Sequence, residues 1–375
     1  MPFNPISVEV ILFLILYGIT GVLPFLAAVY LLLRRGNAFA LGVTPPVRLR
    51  RWVASFFGVA ALAHVWWILF SFLSGDLNSV GYLVIVMLDC VLLYITLAGT
   101  LMAMLQDRSR PMWPVLVSMI PFVVLMGVYM VYRSPLLGQM VLGYLLLLSL
   151  LFTAFMVFAI RRYGRWLNDN YADLENKKVW LCQTVALGCM LLFVLYVFAT
   201  DMVLLYIIHV LEIVLVGLLL WRVETLPQLE NSSMESAFFA SAPETVQDNI
   251  YPTQKRQPLT IPTNIEQLLD ECCVGTQLYL QHDLSLLQLA QTVGINRFYL
   301  SQYFSRQGTT YNAYINDLRI NHFMSLYREA AAAQQSITAQ QLASDSGYRS
   351  YSTFSLAFKQ RTGQSVKAWM RETIE

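Results

Sequence analysis

Seven runs of the first 221 residues are long, apolar and nearly free of charge, at about 10–33, 52–73, 80–105, 113–132, 137–160, 179–199 and 202–221. At 1.5 Å of rise per residue, each run covers roughly 30 Å or more, the thickness of a bilayer's hydrocarbon core. The pattern therefore predicts seven membrane-spanning helices over 1–221, with Pro24 and Pro121 placed to kink two of them. After that the pattern changes. Residues 222–261 are rich in Ser, Pro, Gln, Glu and Asn with no sustained apolar period, and read as a flexible linker. As coil, those 40 residues would reach roughly 35 Å. A partly helical connector stacked on the last span is the alternative. From 262 onward apolar residues return at i, i+3, i+4 and i+7, as in Leu286, Leu289, Ala290 and Val293, which predicts amphipathic helices of a soluble domain. The expected fold class is all-α: a seven-helix transmembrane bundle (1–221), a linker (222–261) and a soluble all-helical domain (262–375).

The soluble part contains one pattern twice. Each copy opens with an N-cap hydroxyl followed three residues later by Gln, Ser285 with Gln288 and Thr338 with Gln341, a pair that satisfies two orphan amides reciprocally. An apolar residue before each cap faces another inside the helix, Leu284 with Leu289 and Ile337 with Leu342. Each helix then reaches a glycine turn, at Gly294 and Gly347, and a second helix capped by Asn296 or Ser350. These are two helix-turn-helix units. Packing of Leu300, Tyr303 and Phe304 leaves Arg297, Phe298, Ser301, Gln302 and Ser305 outward in the first. Packing of Phe354, Ala357 and Phe358 leaves Tyr351, Ser352, Ser355, Leu356 and Lys359 outward in the second. A recognition helix offers such outward residues to base edges in the major groove. Between the units, Tyr311 to Glu329 has the length of one continuous helix, able to set two reading helices about one duplex turn, 34 Å, apart.

With these residues in view, the tail resembles the DNA-binding domain of the AraC/XylS family of bacterial transcription regulators. The resemblance is carried by L-S-L-L-Q-L-A-Q-T-V-G-I-N at 284–296, then Leu300, Phe304, Gly308, Tyr314 and Arg319. In the second half it is carried by G-Y-R-S-Y-S-T-F-S-L-A-F-K at 347–359, then Gly363, Ser365, Trp369 and Arg371. It covers under a third of the chain and does not extend to the spans. The departures are Tyr348 for the family's usual Phe, Phe323 for a small residue, Val366 for Pro, and Leu356 where many members carry Arg. The resemblance implies base contacts by Phe298, Ser301 and Gln302 in one groove and by Tyr351 and Ser352 in the next.

Composition and charge refine this picture. The chain is 57% hydrophobic and only 13% charged, against roughly 25% charged in ordinary soluble proteins, and the deficit lies in the first 221 residues. Loop charges then orient the spans. Arg34, Arg35, Arg48, Arg50 and Arg51 fill the first loop, Arg108 and Arg110 the third, and Arg161, Arg162, Arg165, Lys177 and Lys178 the fifth; the alternate loops hold only Arg133. The positive-inside bias puts the odd loops in the cytoplasm, the N-terminus outside and the C-terminal domain inside. In a bacterium this is a multi-pass protein of the inner membrane whose tail shares a compartment with DNA. The first run, preceded by Glu9 and no basic residue, does not read as a cleaved signal peptide. From Ile261 onward nine basic and nine acidic residues cancel, but between Arg297 and Arg371 nine basic residues face only Asp317, Glu329 and Asp345. That modest excess predicts modest affinity and a shallow salt dependence. The five cysteines form neither a disulfide framework nor a paired C-x-x-C pattern.

Four ionisable residues interrupt the spans: His64, Asp89, His209 and Glu212. Such groups are costly in hydrocarbon and face a partner or a cavity. They read as an interhelical hydrogen-bond cluster that fixes packing, as a ligand- or proton-sensing pocket open to the outer face, or, for His209 and Glu212 at i, i+3, as a shared metal pair. No lysine lies within a span, which excludes a retinal Schiff base, and no P-loop, zinc-protease or nucleophile-elbow motif occurs. An enzyme, a metal and a cofactor are not expected. The expected partners are double-stranded DNA, the lipid bilayer, an unknown small-molecule or protein signal, and a second copy of the chain where the bundle pairs. A transporter or receptor whose tail serves only regulation or protein contacts is the competing reading.

Overall fold

The computed structural model describes residues 8–34, 36–38, 40, 43–73, 76, 79–175, 177–196, 202–229, 264–335 and 338–374. Among these the chain is helical, with no β-strand. It divides into two compact units, residues 1–163 with 176–230, and residues 164–175 with 231–375.

The first unit is built from α1 (Val8–Leu33), α2 (Val47–Leu73), α3 (Val80–Ala103), α4 (Trp113–Ser118), α5 (Ile120–Tyr132), α6 (Pro135–Asn170, up to residue 163), α7 (Trp180–Tyr196) and α8 (Met202–Thr225). Six segments are long and apolar enough to cross a membrane: α1, most of α2, α3, the α4–α5 pair, α6 and α8. The seventh expected span coincides with α7, whose 17 residues fall short of that length, and its expected end at 197–199 lies outside the described residues. The run 113–132 is two helices that meet at Met119, because Pro121 lacks an amide hydrogen and starts a helix better than it continues one. Pro24, by contrast, lies inside a continuous α1.

Apolar side chains cover the outside of this unit as well as its inside. Phe72 is 86% exposed, and Leu33 and Val131 nearly as much, a surface suited to lipid rather than water. Within it, small residues and buried polar ties set the helix spacing. A Cβ on Gly99 would lie 2.2 Å from the Trp52 ring, so α3 and α2 approach closely only because that residue is glycine. Gln183 of α7 donates to the Leu101 carbonyl of α3 at 3.1 Å. Glu224 of α8 accepts from the Tyr30 hydroxyl of α1 at 2.8 Å.

Helix α8 runs past residue 222, where the linker was expected to begin, and ends at Thr225. Arg222 and Val223 are buried in the last turn of α8; Leu226 and Leu229 beyond it are buried too, and the Leu229 amide donates to Gln106 Oε1 at 2.9 Å. The apolar stripe simply outlasts the charge-free run from which the boundary was read. Residues 230–261 of the expected linker lie outside the described residues.

The second unit joins residues 164–175 to the tail. Its tail comprises α9 (Ile265–Leu269), which runs on through a π-turn at Asp270–Val274, then α10 (Leu286–Val293), α11 (Arg297–Arg306), α12 (Tyr311–Ala332), α13 (Ala339–Asp345), α14 (Tyr351–Thr362) and α15 (Val366–Ile374). Two cores form. Leu269, Leu289, Leu300, Phe304 and Ile315 belong to the first, and Ile320, Phe323, Phe354, Phe358 and Trp369 to the second. Helix α12 serves both, giving Ile315 to one and Phe323 to the other.

Candidate functional site

Both expected helix-turn-helix units form in the tail, and their local chemistry explains why. In the first, the Ser285 hydroxyl accepts from the Gln288 amide at 3.2 Å while Gln288 Oε1 accepts from the Ser285 amide at 3.0 Å, a complete capping box. Leu284 and Leu289 are both buried beside it. Gly294 then ends α10 in the left-handed region at φ 75°, and Asn296 starts α11 by accepting from the Phe298 amide at 2.7 Å. The second unit differs in one detail. Thr338 accepts from the Gln341 amide at 3.2 Å, but the Gln341 side chain donates to Asp345 one turn on rather than returning to the cap. The expected reciprocal box is thus a single cap, because Asp345 at i+4 offers a charged acceptor. Ile337, the expected clamp of this unit, lies outside the described residues.

Gly347 closes the second turn at φ 88°, and it has no room for a side chain. A Cβ there would lie 2.7 Å from the Leu280 carbonyl oxygen. Ser350 caps α14 by accepting from the Thr353 amide at 3.3 Å.

The outward residues emerge unequally. Phe298, Ser305, Tyr351, Ser352, Leu356 and Lys359 are exposed, whereas Ser301, Gln302 and Ser355 are half-buried. Gln302 Oε1 is shielded from solvent and has no hydrogen-bond partner. Arg297 does not reach into open solvent: its guanidinium donates to Asn170 Oδ1, through Nε at 3.1 Å and also through a terminal nitrogen.

Two residues that the sequence reading left without a role hold the site together. Arg319, fully buried on α12, donates to the Tyr279 and Gln281 carbonyls, each at 2.7 Å. Its burial pulls the guanidinium's affinity for its proton down, although the Tyr348 and Tyr311 rings nearby act the other way. The second is Asn312 at the start of α12, which donates to the carbonyls of Tyr171 and Ala172 at 3.1 and 2.6 Å. A periodic arginine in an otherwise apolar stripe was the sequence signal for the first; Asn312 gave none.

Among the apolar helices of residues 1–163 and 176–230, three of the four ionisable span residues come together. His64 Nδ1 faces the Ala60 carbonyl at 2.8 Å, and a carbonyl can only accept, so that nitrogen carries hydrogen. His64 Nε2 meets the Thr20 hydroxyl at 3.0 Å and lies 3.9 Å from Glu212. The His209 ring stands edge-on to His64 with centroids 6.0 Å apart. Asp89 is held differently, accepting from the Trp67 indole at 2.6 Å. A cavity of about 130 Å³ lies between α3, α5 and α6, but it is lined by Cys90, Phe122, Met126 and other largely apolar residues and by none of the four. Among the described residues no three His, Cys, Asp or Glu side chains are grouped to hold a metal ion.

Residues 289–372 match a family model described as a helix-turn-helix domain, a stretch that runs from within α10 through the connecting α12 to α15. No curated protein and no solved structure matches the chain. The matched domain supports DNA binding, and the apolar helices ahead of it are compatible with a membrane anchor.

Proposed function

We propose that this protein is a membrane-anchored transcription regulator of AraC/XylS type, which reads a specific DNA sequence with its tail and takes its signal through its membrane bundle. The observation that carries the reading is the pairing of two glycine-turned helix-turn-helix units on one continuous α12 of 22 residues. Such a helix is about 33 Å long, close to the roughly 34 Å of a duplex turn. Phe298 and Gln302 on α11, with Tyr351 and Ser352 on α14, are the proposed base-reading side chains. Arginine-rich odd loops support an inner-membrane orientation with the N-terminus outside and Glu375 in the cytoplasm.

The His64–Thr20–Glu212 cluster is the proposed sensor. With a neutral imidazole, Nε2 must accept the Thr20 hydrogen. With an imidazolium, Nε2 donates, and the Thr20 hydroxyl turns to the Leu16 or Tyr17 carbonyl, 3.1 and 3.0 Å away. One hydroxyl therefore has two arrangements that a proton or a polar ligand can select between. The protein acts as a regulator rather than an enzyme or a transporter, and pairing of two bundles would raise the local concentration of tails on DNA.

Genome-wide mapping of the full-length protein tests this reading. Discrete sites on DNA, lost when Gln302 and Ser352 are both replaced by Ala, are the expected result. Uniform background across the genome, or a reporter at Glu375 on the outer side of the membrane, would overturn it.

A further inference from the structure

The segment 164–175 separates the runs expected as the fifth and sixth spans, yet it is built into the second unit rather than the first. Its seat is specific. Ala172 is buried within the first tail core, its amide donates to the Leu284 carbonyl at 3.2 Å, and Tyr171 bridges Ser285 in antiparallel fashion. From there the segment touches the N-terminal ends of four helices: Ser285 at α10, Arg297 at α11, Asn312 at α12, and Ser350 at α14. At the last, the Glu175 carboxylate accepts from the Ser350 hydroxyl at 2.8 Å and from the Thr353 hydroxyl at 3.0 Å. The buried Asp173 folds back to accept from the Glu175 amide at 2.9 Å, which holds the turn.

Helix N-termini carry partial positive charge and unbonded amides, and in a DNA reader they are the groups that grip phosphate. Here an asparagine oxygen occupies the first arginine of α11, and a carboxylate occupies the hydroxyls that start α14. Both are the reading helices.

We infer that residues 170–175 form an acidic latch, a phosphate mimic that occupies the DNA-gripping edge of the tail and must leave before the tail can close on a duplex. The inference rests on the DNA-reading function proposed above. Asn170 ends the helix that starts at Pro135, and the next helix starts at Trp180. A shift of either helix is therefore delivered to the latch through a few covalent bonds. Since latch and duplex compete for the same groups, a few-fold change in the unlatched fraction changes the apparent DNA affinity by the same factor.

The test uses full-length protein in lipid nanodiscs and two labelled duplexes, one carrying the region upstream of its own reading frame and one of random sequence. The double substitution Asn170→Ala with Glu175→Gln is expected to tighten binding to both duplexes by about tenfold, the effect of removing an intramolecular competitor. Equal or weaker binding would overturn the latch. A second measurement does not depend on that variant's folding. A photocrosslinking amino acid at position 175 should join the peptide that contains Ser350, and random-sequence duplex should lower the yield. A yield indifferent to bound duplex overturns the latch. If the crosslink forms but no duplex binds either protein, the DNA-reading function itself fails, and the latch as a regulator falls with it while the contact stands.

Discussion

The Arg319 guanidinium lies over the Tyr348 ring, 5.5 Å from its centroid, and this contact fastens the two helix-turn-helix units to each other. Arg319 comes from the connecting helix, its two hydrogen bonds go to the segment ahead of the first unit, and Tyr348 belongs to the second turn. The Tyr348 hydroxyl in turn donates to Asn316 Oδ1 at 2.8 Å, and burial raises its pKa well above the usual phenol range, so the ring stays neutral beside the cation.

Replacing Arg319 by Met removes the stack and leaves the buried Tyr279 carbonyl unpaired, whereas the carbonyl of the exposed Gln281 can turn to water. The expected cost is about 2–4 kcal/mol, from one orphaned buried acceptor and a desolvated cation–π contact. Hydrogen exchange on the full-length protein, read peptide by peptide, should show α12 and α14 losing protection together. Arg319→Lys should recover only part of it, since an ammonium cannot present a flat fork to two carbonyls and stack at once.

Gly347 offers a sharper steric test. Its φ of 88° already favours glycine, and the Leu280 carbonyl stands 2.7 Å from where a Cβ would be. Gly347→Ala is expected to cost about 2 kcal/mol or more, combining left-handed strain with a backbone clash. At Gly294, where nothing lies within 4 Å of a Cβ, the same change should cost only the left-handed strain of about 1–2 kcal/mol. Exchange rates in the tail should rank the two variants in that order.

Most of this tail was legible in the sequence because its rules are local. A hydroxyl cap, an apolar stripe of period 3.6 and a turn glycine act over four to eight residues, and each produced its element. The partners separated by long stretches of chain were not legible. Nothing near Arg297 indicates Asn170, and nothing near Ser350 indicates Glu175. Gln341 shows the same limit at short range, since both the cap and Asp345 lie within its reach and only geometry chooses. In the spans, hydropathy located the helices and Pro121 marked the break at Met119, but the packed end beyond Thr225 was not legible, because polar ties and buried leucines there outrank composition.

Cys273 should be chemically inert in the folded chain. It is fully buried, and burial, the largest influence, pushes its thiol up to about 11. At pH 8 its thiolate would be scarce enough to slow alkylation at least about a hundredfold relative to a free thiol near 8.5. Iodoacetamide followed by peptide mass spectrometry should leave Cys273 unmodified until denaturant is added. Rapid labelling under native conditions would place the α9 π-turn outside the core.

Gln302 and Ser352 should each contribute about 1–3 kcal/mol of discrimination at one base position if they read base edges. Gln302 is half-buried with its Oε1 shielded from solvent, so its side chain must swing outward to pair with the edge of an adenine. Gln302→Ala should therefore relax selection at one position of the first half-site and leave the second unchanged, as measured by selection from a randomised duplex pool.

Leu356 supplies the test of which face of α14 meets the duplex. It is 55% exposed and shares its helix face with Ser352 and Lys359 at spacings of four and three residues. An exposed leucine there either touches thymine methyl groups or does little. Leu356→Arg adds one cation to that face, so the log–log slope of affinity against salt should steepen by about 0.9, the value for one more neutralised phosphate. Affinity should rise for all sequences at low salt, with selectivity falling if the leucine had been reading a methyl group. A slope unchanged by the arginine would mean that this face of α14 does not meet the DNA backbone, and would turn the search for base contacts to Tyr351 and Ser355 instead.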